Sequence, residues 1–406
     1  MTCLRIFDPA RHETLKQVAW SENRVREEII HIVNDIVESQ LVNGGWPLHP
    51  LDAESYPNDK PKWALYAGAA GVLTALNILK RYQYHTRDYN DQFPTIYQSY
   101  LASPDVKIEP GLQLGDIGIL TPWLISDLEN VELADLLAER MRDTLPLPYY
   151  DITSGQSGMM HTALALYRLT NDNTWRHLYR QGADILLKNC LLDKSTEQWL
   201  WQSEVFGFSR KYYGACHGLA GNTNILLQGR DLLEPSLVDE ILERSVTTLE
   251  RAVIWENAYC NWPNYQSPNP EKYLLQWCHG ASGIITAMAS ALRFNSTFAE
   301  RLEKLLYSAG ELIWLAGPLK KGVGICHGTA GNGYAFLSLY KYSDQSQWLD
   351  RARQFAVHSI EQCIEAREHY GQGRYSLWTG DAGLAIYLHH CLYPELTALP
   401  GLDIFS

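Results

Sequence analysis

Three dipeptides carry the chemistry in this sequence: Cys216-His217, Cys278-His279 and Cys326-His327, each directly before a glycine. The stretches around them, GACHGLAGN, WCHGASGI and GICHGTAGNGYAFLSLY, share one register, with a second glycine three residues after the first. Thiolate and imidazole are borderline-soft donors that suit Zn²⁺. A Cys₂His set with a free fourth position is of the catalytic type, because a structural site is closed by four protein ligands. Six donors are available, and an adjacent Cys and His share one ion only in some turns, so the residues alone leave the choice among them open. A plainer reading has the histidines serve only as hydrogen-bonding groups. Asp151, in YYDITSG, lies four residues before a further glycine pair. It is either an acid–base group reaching the same place or a helix cap.

The elements that must position these residues announce themselves through the same glycine pair. It occurs at Gly68/Gly71, Gly115/Gly118, Gly155/Gly158, Gly218/Gly221, Gly280/Gly283, Gly328/Gly331 and Gly380/Gly383. With 29 glycines in 406 positions, chance supplies roughly two such pairs, so seven signal an internal repeat. The first glycines are 47, 40, 63, 62, 48 and 52 residues apart, room for two helices per repeat. Stretches that follow the pairs, such as GVLTALNILKRY and GMMHTALALYRL, are apolar on most sides and read as buried helices. Between them lie amphipathic stretches with charged faces, such as 23–40, 130–145, 236–256, 296–316 and 347–366. No convincing run of alternating strands is present, which leaves room only for short hairpins in loops.

Inner apolar helices alternating with outer amphipathic ones predict an all-α toroid, a double ring whose closure removes the capping problem of an open array. An open helical solenoid built for protein binding is the alternative on periodicity alone. In a ring, the residues before each first glycine line one mouth: Tyr66-Ala67, Gln113-Leu114, Thr153-Ser154, the three Cys-His pairs, and Trp378-Thr379.

Composition narrows the function. Hydrophobic residues make up 46% and charged residues 20%, ample for a core. A net charge of −12 argues against a nucleic-acid partner, which needs a basic face. No apolar run reaches the roughly 18 residues of a membrane span, and MTCLRIFDPARHE is too charged for a signal peptide. A cytoplasmic protein is expected, with export lacking a cleavable signal left open. In that compartment the recurring Cys-His pairs point to metal or catalysis rather than disulfides, and the other five of the eight cysteines, Cys3, Cys190, Cys260, Cys363 and Cys391, read as free or buried thiols.

The segments GACHGLAGN, WCHGASG and CHGTAGNGYAFLSLY resemble the lanthionine synthetase C-like family, which includes the cyclases that install thioether rings in lantibiotic peptides, and their eukaryotic relatives. The resemblance covers essentially the whole chain and implies one domain over 1–406, an α/α toroid of seven inner and seven outer helices. It implies one zinc ion on Cys278, Cys326 and His327. His217 matches the acid–base histidine of the cyclases and Asp151 their essential acidic residue, leaving Cys216 and His279 to line the mouth. Bacterial cyclases usually carry Tyr where His279 stands, so WCHG sides with the eukaryotic type, as do LKKGVGICHGTAGNGYAFLSLY and RIFDP from Arg5. Those relatives bind glutathione and add it to dehydroamino acids in proteins. By resemblance, Lys321, Arg5 and Arg374 would hold the glutathione carboxylates, although the spacing of Arg374 to its glycine pair is shorter than the family's.

The implied reaction joins a thiol, glutathione or similar, to dehydroalanine or dehydrobutyrine in a peptide or protein. A lantibiotic-type cyclase, with thiol and alkene in one peptide, is the first alternative. A non-catalytic zinc-containing interaction protein or effector is the second. A glycosidase would need paired carboxylates across the cavity, and the rim positions supply none.

Overall fold

The computed structural model describes residues 5–53, 60–106, 109–270, 273–294 and 297–405. Its helices in chain order are α1 (Glu22–Glu38), the short α2 (Pro50–Ala53), α3 (Ala69–Arg81), α4 (Phe93–Ala102), α5 (Ile117–Ser126), α6 (Val131–Thr144), α7 (Gln156–Thr170) and α8 (Asn173–Asn189). Then follow α9 (Leu219–Gln228), α10 (Pro235–Ala252), α11 (Ala281–Met288), α12 (Thr297–Ala316), α13 (Thr329–Ser343), α14 (Ser346–Tyr370) and α15 (Asp381–Leu392).

Seven of these, α3, α5, α7, α9, α11, α13 and α15, begin at a glycine pair: six start at the residue after its first glycine, and α5 starts one residue later, after Asp116. Each packs on the next, and α15 returns to α3, so the inner ring closes. They are buried nearly all round: every residue of α13 from Thr329 to Leu339 is buried. The outer ring is α1, α4, α6, α8, α10, α12 and α14. These helices bury one stripe only, as α1 does with Val25, Ile29, Ile32, Val33 and Ile36. Each such aliphatic side chain contributes about 1.5–3 kcal/mol on burial. Ser21 starts α1 by accepting from the Arg24 amide, an N-cap bond that satisfies one orphan donor.

The expected double ring of seven and seven is therefore what the chain forms. Two outer helices, α4 and α8, complete the five named from charge pattern. α4 (FPTIYQSYLA) contains no charged residue, so charge could not reveal it. Three two-stranded antiparallel hairpins decorate the loops: β1–β2 (Leu191–Asp193, Gln198–Leu200), β3–β4 (Ser203–Val205, Phe208–Arg210) and β5–β6 (Ile254–Glu256, Tyr259–Asn261). Among the described residues, no helix is long and apolar enough to cross a membrane.

The glycine pair has a steric cause. A Cβ on the second glycine of every pair would fall inside contact distance of the carbonyl oxygen six residues earlier, as with Gly283 and Trp277 or Gly331 and Ile325. The chain doubles back tightly before each inner helix, and only glycine admits that approach. This turn brings the rim residues side by side. Tyr66 N donates to Gln113 O (2.9 Å), Gln113 N to Thr153 O (3.0 Å) and Ile152 N to Cys216 O (3.0 Å). Cys278 N donates to Cys326 O (3.1 Å), Cys326 N to Trp378 O (2.9 Å), and Trp378 N back to Tyr66 O (3.1 Å). Between Cys216 and Cys278 the closure is steric: Gly214 lies directly against the Cys278 carbonyl. On the outside, Arg367 of α14 stands 3.3–3.5 Å from Glu28 and Asp35 of α1 and Asp381 of α15, tying the last repeat to the first.

Candidate metal centre and acid–base pair

The rim ladder sets Cys278 beside Cys326, and the two sulfurs and a His327 ring nitrogen all lie within 4.8 Å of one another. Cys216 stays apart, its Sγ 4.0 Å from Gln113 Oε1. His279 turns its ring toward His217 (centroids 5.6 Å) and Tyr212 (5.8 Å). Of the six Cys and His donors, three converge, and they are the three that the family resemblance implied.

The donor set fits zinc. Two sulfurs and one imidazole supply three protein ligands, and a fourth direction remains for water or substrate. Cys278 and Cys326 are buried, at 7% and 4% exposure, so competing solvent is sparse. The hydrogen bond from Cys326 holds the Cys278 thiol well below its ordinary range despite burial. The reverse side of that contact, with burial, pushes Cys326 up. The Gln276 side-chain amide donates to Cys278 Sγ (2.9 Å). Tyr66 sits by the same sulfurs, and burial drives its phenol well above the ordinary range, so it stays protonated.

His217 occupies the neighbouring sector. Its Nδ1 is 2.9 Å from Asp151 Oδ2. Asp151 also accepts from Thr153 Oγ1 (2.7 Å) and from the Ser154 amide (3.0 Å). Asp151 does not cap α7, which starts after Gly155 without a side-chain cap; its carboxylate faces His217 and its own turn. A carboxylate only accepts, so Nδ1 carries the proton and Nε2 is the ring atom left for a ligand. Burial works against the imidazolium, but Cys216 and Asp151 outweigh it and push His217 well above its ordinary pKa. Burial also pushes the Cys216 thiol up. A thiol that keeps its proton exerts little field, so Asp151 is the partner that counts.

Aromatic groups wall this mouth. Tyr212 and Phe206 stand 5.8 and 6.0 Å from the His217 ring. Phe206, at the tip of the β3–β4 hairpin, is 71% exposed. Below the hairpin opens a cavity of about 440 Å³ that includes Asp151, Thr153, Ser154, Glu109 and Phe206. A smaller one, of about 280 Å³, opens at the opposite ends of α9, α11 and α13 and contains none of the Cys-His residues.

The three expected carboxylate-binding cations fall differently. Lys321 is exposed, in the turn that leads to Cys326. Arg374 is buried and donates through Nε (2.9 Å) and Nη2 to the Asp52 carboxylate, leaving Nη1 on the side of Gly322. Arg5 is exposed, and its backbone amide donates to the Glu256 carboxylate on β5. Sequence reasoning missed Arg11, whose Nη2 donates to Gln276 Oε1 (3.1 Å), and Asp52. No local spacing links partners 265 or 322 residues apart.

Comparison with known proteins agrees with this fold. Residues 49–404 match the family described as "Lanthionine synthetase C-like protein". "Glutathione S-transferase LANCL1" of Danio rerio is 30% identical over 230 residues, 56% of this chain and 53% of that protein. "LanC-like protein GCL1" of Arabidopsis thaliana is 30% identical over 261 residues, 63% of this chain and 58% of that protein. The aligned regions thus span little more than half the length of these relatives. Among solved structures, the fold resembles "Nisin cyclase", with TM-score 0.63 at 17% identity over 92% of this chain and 95% of that one. With the family matched over residues 49–404, the chain belongs to the lanthionine synthetase C-like family.

Proposed function

We propose that the protein adds a thiol, glutathione or one like it, to dehydroalanine or dehydrobutyrine in a peptide or protein. The observation that carries this reading is the placement of the Cys278–Cys326–His327 set and the His217–Asp151 pair on adjoining sectors of one mouth. Cys278, Cys326 and His327 would hold one zinc ion, which when bound supplies the Lewis acidity that makes a thiol a thiolate at neutral pH. The chain's own residues do the remainder. Tyr212, His279 and Phe206, whose rings surround that of His217, would confine the alkene beside it. Sulfur forms its bond to Cβ as the C=C π bond breaks, the His217 imidazolium gives its Nε2 proton to Cα, and the proton lost by the thiol restores that imidazolium. Asp151 fixes the His217 tautomer and supports the imidazolium before transfer.

Lys321 and Arg5 are exposed cations suited to the two glutathione carboxylates, and Arg374 offers its Nη1 edge after pairing with Asp52. The seven described cysteines are unpaired thiols. The test is mass spectrometry of a dehydrobutyrine peptide incubated with zinc-loaded protein and reduced glutathione. The same peptide with an internal cysteine runs in parallel, followed by thiol alkylation. A glutathione adduct that vanishes in His217→Ala supports the addition. An unchanged mass with the internal thiol protected overturns it in favour of cyclisation. Neither product from zinc-loaded protein favours the interaction-protein reading.

A further inference from the structure

Cys278 does not face the mouth alone. Behind it the Gln276 amide sits 2.9 Å from Sγ, and behind that amide stands the Arg11 guanidinium, 3.1 Å from Oε1. The orientation of the amide is dictated by chemistry. Arginine has five N–H donors and no acceptor, so the Gln276 atom facing Arg11 must be oxygen. The NH₂ group is thereby turned onto sulfur. Gln276 is itself fixed, 6% exposed, with its backbone N donating to His279 O (3.1 Å).

Arg11 is anchored as firmly from the other side. Lys320 N donates to Arg11 O (3.0 Å), Glu13 N to Pro318 O (3.0 Å), and His12 Nδ1 meets Gly317 O at 2.8 Å. The segment it lies against, Gly317–Lys320, leads directly into the loop that carries Cys326 and His327. The N-terminal segment therefore braces both loops of the donor set, and Arg11 is the side chain it sends inward.

We propose that Arg11 and Gln276 form a positioning relay for the metal-binding thiolate Cys278, resting on the zinc site proposed above. The relay aims an N–H at the sulfur, sets its lone pairs toward the ion and away from the protein, and makes the N-terminal segment part of the metal centre. Neither residue touches the ion or substrate. Partners that orient a ligand in this way are worth about 10–100-fold in metal affinity.

The discriminating variant is Gln276→Glu. It keeps the size and the oxygen facing Arg11, and replaces the N–H on sulfur by a second carboxylate oxygen. If Gln276 only anchored Arg11, a new ion pair would leave zinc affinity at or above the wild-type level. If it serves the thiolate, oxygen against sulfur should weaken zinc by about 10–100-fold and more than Gln276→Ala does. Zinc affinity is measured by chelator competition on full-length protein. The cobalt-substituted protein gives a second readout, because the thiolate-to-metal charge-transfer band should shift in Gln276→Glu and, by less, in Arg11→Ala. Arg11 ends a short 3₁₀ turn, Pro9–Arg11, that belongs to neither ring of α-helices, so that variant tests the relay without removing a side chain from either ring. Wild-type affinity and an unshifted band in Gln276→Glu and Arg11→Ala overturn the relay alone. Failure of the unmodified protein to take up zinc overturns the metal centre and the relay together.

Discussion

Asp151→Asn isolates what a single carboxylate does for His217. The wild-type carboxylate accepts from Nδ1 at 2.9 Å in a buried setting, where His217 is 7% and Asp151 2% exposed. A hydrogen bond to a charged group contributes about 1.5–3 kcal/mol, and about 1.4 kcal/mol corresponds to one pKa unit. Asparagine preserves the size and the turn to Ser154 and removes the charge. The His217 pKa should fall, since the carboxylate that opposes burial has lost its charge. The sign follows from the raised value in the folded protein. The pair stabilises the fold fully below the ordinary histidine pKa, and this stability drains as pH rises through the elevated one. Asp151→Asn should therefore destabilise more at pH about 6 than at pH about 9. It should also move the alkaline limb of any thiol-addition rate profile toward acid. The direct assay is an NMR titration of the ¹⁵N-labelled imidazole rings, which needs no substrate. Cys216→Ala is the control, because a protonated thiol contributes little. A His217 midpoint that stays put in Asp151→Asn but drops in Cys216→Ala would refute the assignment of Asp151 as the dominant partner.

Other outcomes are as specific. Cys326→Ala should lose both zinc and turnover, whereas His217→Ala should keep zinc and lose turnover; metal analysis beside the mass-spectrometric assay separates them. Arg374→Ala leaves the Asp52 carboxylate buried without its partner and should cost about 3–5 kcal/mol in urea denaturation. An unaltered midpoint would mean that Arg374 serves only ligands. Gly283→Ala drives a Cβ into the Trp277 carbonyl and should cost about 3 kcal/mol or more. Gly371→Ala, where φ is +70° but space is open, should cost only about 1–2 kcal/mol; equal losses would show that crowding is not what fixes the repeat glycines.

How far the sequence speaks depends on the range of the interaction. The glycine pairs are legible because each clash that demands them lies six residues away in the chain, so spacing alone reports the turn, the repeat and the ring. Cys278, Cys326 and His327 converge because equivalent positions of adjacent repeats become neighbours, which repetition also announces. Choosing these three from six donors took the family resemblance, since nothing in CHG separates His327 from His279 before their rings are placed. Arg374 shows the limit. An arginine near a mouth reads as a ligand-binding cation, and only the fold reveals Asp52 arriving from 322 residues away. The same holds for Arg11, six residues beyond the Arg5 that the RIFDP motif singled out.

The rim ladder returning from Trp378 to Tyr66 has a consequence for how the molecule comes apart. An open helical array frays from its ends, repeat by repeat. A hoop has no ends: removing one stave frees two neighbours at once and opens the circumference everywhere. Repeats far from the thiolates therefore share the fate of the two that carry them. Zinc gripping a single joint should tighten the whole band, and a defect opposite the metal should be felt as its release.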